Sequence, residues 1–102
     1  MSAPLVFYFD FISPYAYIGW KRIHTLAEHH GRQVVPVPIL FAALLDANHT
    51  KGPAEIPSKR AYVFKDAYRH AHAHHIPFGP PPAHPFNPLL ALRIASLPAA
   101  PD

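Results

Sequence analysis

Residues 5–11, L-V-F-Y-F-D-F, form the first dense apolar run of the chain, rich in β-branched and aromatic side chains. Pro4 and Ser13-Pro14 bound it, which predicts a buried strand. Ser13-Pro14 then reads as a helix start, with a hydroxyl for the N-cap and proline at the first helical position. Ala16, Trp20, Ile23 and Ala27 recur at three- or four-residue spacing, with Gly19 and Leu26 beside them. Lys21, Arg22, Thr25, Glu28 and His29 fall mainly on the other side. The spacing predicts an amphipathic helix of about four turns, ending near Gly31 in a left-handed cap.

Residues 34–40, V-V-P-V-P-I-L, have strand composition, but Pro36 and Pro38 donate no ladder hydrogen bonds. Both prolines fall on the same edge of the strand, so that edge is expected to be unpaired. Strand, long helix and strand in sequence read as a βαβ unit with parallel strands and a right-handed crossover.

The texture changes at residue 41. Residues 41–47 suit a short helix, and residues 48–57 a polar loop. Residues 58–75 are helical by period, with Ala61, Phe64, Tyr68 and Ala71 as the expected buried stripe and residues 65–69 covering the wet side. Residues 77–85 form a proline-rich run, stiff and extended in expectation. Asn87-Pro88 repeats the cap-plus-proline signal and opens a helix over residues 89–97. Residues 98–102 read as a frayed tail. The domain expectation is a first part at 1–40 and a helical part at 41–102.

Length and composition narrow the function classes. With 102 residues, half of them hydrophobic, the chain is expected to fold as one small domain. It has no cysteine, which excludes disulfides, cysteine-ligated metals and thiol catalysis by the protein itself. It has no apolar run long enough to span a membrane. The N-terminus has no basic stretch, and Asp10 interrupts the apolar run, so a soluble cytoplasmic protein is the expectation. Net charge is +3, with the Lys and Arg residues scattered, and a nucleic-acid surface would require a clustered basic face.

Candidate chemistry begins with Ser13, a hydroxyl at a strand-to-helix turn. A helix N-terminus offers unpaired N–H groups and partial positive charge, which stabilise a thiolate or carboxylate. The plain alternative is that Ser13 only caps the helix. Tyr15 and Tyr17 follow on the first turn, as pocket hydroxyls or as core aromatics. Lys59 and Arg60 open a helix beside the polar loop, as partners for a ligand carboxylate or as surface charge. Asp10 reads as a partly buried carboxylate or as the cap of a nearby turn, the cap being the commoner use. His70 and His74 have chelating spacing, but no glutamate sits between them and a third ligand must come from elsewhere. The solvated-face reading fits them better, and no native metal site is expected.

Three motifs in order, F-Y-F-D-F-I-S-P-Y-A-Y-I at 7–18, G-P-A-E-I-P-S-K-R-A-Y at 52–62 and P-P-A-H-P-F-N-P-L-L-A-L-R at 81–93, carry a resemblance. The chain resembles the 2-hydroxychromene-2-carboxylate isomerases and kappa-class glutathione transferases, thioredoxin-fold proteins of the DsbA-like superfamily. The likeness implies an α/β fold: a truncated thioredoxin-like β-α-β followed by part of an all-helical insertion. It implies glutathione as co-substrate, with Ser13 hydrogen-bonded to its sulfur and Lys59 facing it. The family's asparagine falls on Thr50 here, a departure, and Asn48 lies two positions earlier. The implied reaction is cis–trans isomerisation of a 2-hydroxychromene-2-carboxylate-type aromatic catabolite. The alternatives are a kappa-type transferase or peroxidase, or an inactive fragment or binding module.

Length is the second departure. Members of the family are longer, and the resemblance implies that this chain stops inside the helical insertion. It then lacks the later strands and the late acidic residue that holds the glutathione amino group. Two parallel strands alone make a marginal sheet. Their open edges lead to an expectation of self-association, for example as a homodimer.

Overall fold

A computed structural model describes residues 3–79 and 86–97. Strand β1 (Leu5–Phe9) leads into helix α1 (Pro14–His29) and strand β2 (Val34–Pro38). Helix α2 (Phe41–Ala47), a 3-10 turn (Pro53–Glu55), helix α3 (Pro57–Ala73) and helix α4 (Leu89–Ala95) follow. The stiff proline run predicted over 77–85 lies outside the described residues from position 80 onward, as does the tail expected at 98–102. Among the described residues no helix is long and apolar enough to cross a membrane.

The two strands pair in parallel, in register from Leu5 with Val34 to Phe9 with Pro38. The Leu5 N–H donates to the Gln33 carbonyl at 2.8 Å, and the Ile39 N–H donates to the Phe9 carbonyl at 2.8 Å. A parallel ladder uses alternate residues of each strand, so the odd positions of β2 face β1. The nitrogens of Pro36 and Pro38 therefore lie on the outer edge, where a missing N–H costs no ladder bond.

Helix α1 has two working faces. On one, Trp20 lies 5.9 Å from the Phe7 ring and 6.4 Å from the Phe9 ring, covering one face of the sheet. Gly19 lies beside this contact; a Cβ there would meet the Phe7 ring at 3.4 Å. On the other face, Ile18 is buried with Ala67 and Ala71 of α3, and Ile76 and Phe78 pack against them. The periodicity predicts only the sheet-facing stripe, because Ile18 sits about half a helical turn away from it. The helix is a middle layer, and an amphipathic pattern registers only one of its two neighbours. Burying the Ile18 side chain contributes about 2 kcal/mol.

Helix α3 differs from its expected stripe. Val63, Ala67 and Ala71 are buried, while Ala61 is exposed and Tyr68 is 60% exposed. Phe64 is half-buried. The i, i+4, i+8 row of small side chains lets α1 approach closely enough to seat Ile18, whereas Tyr68 keeps its polar tip in water. This core joins α1 to α3, so it bridges the segments before and after residue 40.

Three helix ends share one hydrogen-bond pattern. At α1, Gly31 has φ 61°, its N–H donates to the Glu28 carbonyl at 3.1 Å, and the Arg32 N–H donates to the Ala27 carbonyl at 2.9 Å. At α2, His49 takes the same role with φ 54°, and the Thr50 N–H donates to the Leu45 carbonyl at 2.9 Å. At α3, His75 has φ 56°, and the Ile76 N–H donates to the Ala71 carbonyl at 2.8 Å. These are Schellman endings, and in the third the hydrophobic contact that goes with them is made by Ile76 on the Ala71 cluster. Only the glycine is legible as such a cap in the sequence.

Candidate active site

The site is built at the turn from β1 into α1. Asp10 is only 4% exposed. Its carboxylate accepts the Ile12 N–H at 3.1 Å through one oxygen and the Phe41 N–H at 2.8 Å through the other. Both readings of Asp10 meet here: the carboxylate is buried and it caps the turn. It shapes the turn and joins it to the start of α2. The Ser13 N–H donates to the Asp10 carbonyl at 3.2 Å, which brings Ser13 to the head of α1.

Ser13 has extended backbone geometry, φ −91° and ψ 118°, and caps the helix. Its Oγ accepts the Ala16 N–H at 3.1 Å. A hydroxyl has one donor and two acceptor positions, so this cap leaves the Ser13 proton available to donate. Pro14 has no N–H, and the Tyr17 N–H donates to the Ser13 carbonyl at 3.3 Å. That leaves the Tyr15 backbone N–H as the first-turn donor with no partner among the described residues. No acidic side chain lies in that turn to oppose an anion. Capping and anion binding are thus compatible uses of Ser13.

Ser13 stands in the wall of a cleft of about 920 Å³, within the range that takes a small organic molecule. Phe7, Phe9 and Phe11 line one side, Tyr17 and Trp20 come from α1, and Phe64 comes from α3. Pro77 and Phe78 contribute from the segment after α3, and Ala95 and Leu97 from the end of α4 and just beyond it. The lining is mainly aromatic, with Ser13 and Asp10 among its few polar members.

The structure separates the two tyrosines that the sequence reads as a pair. Tyr17 lines the cleft, and its hydroxyl donates to the Pro77 carbonyl. Tyr15 is not part of the lining. Its hydroxyl donates to Asp66 Oδ2 at 2.7 Å, across from α1 to α3. Consecutive odd positions on a helix point about 160° short of a full turn apart, so the pair diverges. Burial, then the Asp66 hydrogen bond and charge, push the Tyr15 phenol up to about 12. It stays a neutral donor and a strut between helices.

The remaining positions implied by the resemblance lie elsewhere. Lys59 is exposed on the first turn of α3 and is not in the cleft wall. The Asn48 side-chain amide donates to the Leu44 carbonyl at 2.8 Å, and the Thr50 hydroxyl donates to the Leu45 carbonyl at 3.4 Å. Both cap the end of α2. Gly52, in the same loop, is buried against α2, where a Cβ would meet Leu45 at 3.2 Å. Among the described residues no three His, Cys, Asp or Glu side chains converge on a point that would hold a metal ion.

Sequence reasoning misses the hydrophobic wall. Phe7 and Phe9 carry a signal, since alternate strand positions share a face. Phe78 carries none, because nothing local relates a proline-flanked residue to a helix sixty positions earlier.

The DSBA-like thioredoxin domain family matches residues 4–102. Among curated proteins, Glutathione S-transferase kappa 1 of Caenorhabditis elegans is 32% identical over 77 residues, covering 74% of this chain and 34% of that protein. Glutathione S-transferase kappa 2 of the same organism is 36% identical over 76 residues, covering 71% of this chain and 32% of that protein. The chain thus spans about a third of the length of the curated relatives it matches. No solved structure matches it. With the β-α-β start, the parallel register and the family match over residues 4–102, the chain belongs to the DSBA-like thioredoxin domain family.

Proposed function

We propose that this chain handles glutathione at Ser13 and holds an aromatic partner molecule in the cleft beside it. One observation carries the reading: the Ser13 hydroxyl, already capped from Ala16, stands with its proton available at the head of α1 in the wall of an aromatic cleft. The similarity to two kappa-class glutathione transferases supports glutathione as the thiol.

The residues fit a thiolate. Ser13 donates to the sulfur, and the helix end with its open Tyr15 N–H adds partial positive charge, which favours the ionised thiol. When bound, glutathione supplies a sulfur that adds to a conjugated double bond, frees it to rotate and leaves again. Phe7, Phe9 and Trp20 hold the ring of the partner molecule flat and exclude water from it. On this reading the reaction is cis–trans isomerisation of a 2-hydroxychromene-2-carboxylate-type compound. The family resemblance assigns Lys59, and Thr50 or Asn48, to the remainder of the glutathione.

The relatives' names favour a second reading, glutathione transfer to an electrophile. The two differ in the fate of the thiol, which isomerisation returns and transfer consumes. The test follows substrate isomerisation and free thiol together, with and without glutathione. Thiol-dependent isomerisation at constant free thiol, lowered at least tenfold in Ser13→Ala, is the expected result. Thiol consumption would move the assignment to the transferase, and equal rates in Ser13→Ala would remove Ser13 from the chemistry.

A further inference from the structure

Phe78 faces two spaces. It lines the aromatic cleft, and it also lines a second, shallower hollow of about 480 Å³ on the outside of α3, beside Lys65, Tyr68 and Arg69. Phe78 and Phe64 border both spaces and so stand between them. Several contacts hold Phe78 there. His75, with φ 56°, ends α3 and reverses the chain. Ile76 then packs on the Ile18, Ala67 and Ala71 core, and so does Phe78 itself. The Tyr17 hydroxyl donates to the Pro77 carbonyl, and the Phe78 ring lies 6.3 Å from the Tyr17 ring, tilted by 35°.

We propose that Phe78 is the specificity-determining wall of the cleft, clasped in place by Tyr17, and that it sets how many fused rings the cleft accepts. Phe78 lines the cleft, and Lys65 and Arg69 line the second hollow that it borders. Without the ring, the cleft continues into the second hollow, still lined by Phe64, which borders both spaces. A longer flat molecule then fits. If it carries a carboxylate at its far end, it reaches two cations four residues apart on one face of α3. Tyr17 acts through Phe78 and the Pro77 carbonyl, so it is a positioning residue. The inference rests on the proposed reading that an aromatic molecule occupies the cleft, and not on glutathione.

The single tryptophan of the chain, Trp20, stands in the cleft wall and reports occupancy directly. The experiment titrates the 102-residue chain, without glutathione, with 2-naphthoic acid and with 2-anthracenecarboxylic acid, and follows Trp20 quenching. The wild type is expected to bind the two-ring acid more tightly. In Phe78→Ala the ratio of the two affinities is expected to shift about tenfold toward the three-ring acid. Phe78→Leu keeps apolar packing on the core and is expected to shift it about threefold. Tyr17→Phe keeps the ring and loses the clasp, and is expected to weaken the discrimination. Far-UV circular dichroism of each variant establishes that it is folded. An unchanged ratio in folded Phe78→Leu overturns the proposal, and so does a wild type that binds neither acid. A shifted ratio together with a negative glutathione assay would leave this inference standing and remove the thiol reading alone.

Discussion

Asp10 Oδ2 accepts the Phe41 backbone N–H at 2.8 Å, which joins the end of β1 to the head of α2 across 31 positions of sequence. The same carboxylate shapes the turn that delivers Ser13. One buried side chain thus couples the site to the helical part of the molecule. Asp10→Ala leaves two N–H groups without this acceptor and is expected to cost about 3 kcal/mol or more, from a charge-assisted bond and an unmet donor. Asp10→Asn keeps one acceptor oxygen and is expected to lose less. Urea unfolding followed by circular dichroism checks the order. Equal losses in both variants would mean that only one of the two bonds matters.

Two histidines hold left-handed backbone where glycine is favoured. His49 and His75 have φ 54° and 56°. A residue with a Cβ is strained there by about 1 kcal/mol relative to glycine. His75→Gly is expected to raise stability by a few tenths to about 1 kcal/mol, since glycine also gains entropy in the unfolded chain. His49→Gly should do the same at α2. The midpoint of thermal or urea unfolding measures both, and a loss of stability in either would show that the imidazole itself contributes.

Tyr15 and Asp66 give a signature at high pH. The Tyr15 phenol is raised from its ordinary 10.0 to about 12, chiefly by burial and then by the Asp66 bond. Between these values the unfolded chain releases a proton that the folded chain keeps. The unfolded state then binds fewer protons, so stability falls as pH rises through this window and is fully present below it. Tyrosinate absorbance should show one late-ionising tyrosine in the folded protein. Tyr15→Phe should remove that late step and flatten the alkaline loss of stability. A late step that persists in Tyr15→Phe would assign it to another tyrosine.

The sequence by itself determined the local elements. Ser13 reaches only to Ala16, three residues on, so its capping role is readable from Ser-Pro followed by a periodic helix. The parallel pair is readable from two apolar runs around one helix, and the outer edge of β2 from two prolines of like parity. The three ordered motifs pointed to the thioredoxin-like family. All of these depend on neighbours within a few residues, or on patterns that repeat along the chain.

The tertiary structure decided what those elements touch. Ile18 belongs to the core because α3 brings Ala67 and Ala71 to it, and no stripe on α1 alone marks that face. Tyr15 and Tyr17 stand two residues apart, yet one meets Asp66 and the other Pro77, 51 and 60 positions away. Helical geometry fixes that they diverge, but only the packing of α3 and of the segment after it decides what each meets. The aromatic cleft exists for the same reason. Its walls come from two strands, three helices and the segment at 77–79, and burial is a property of their arrangement in space.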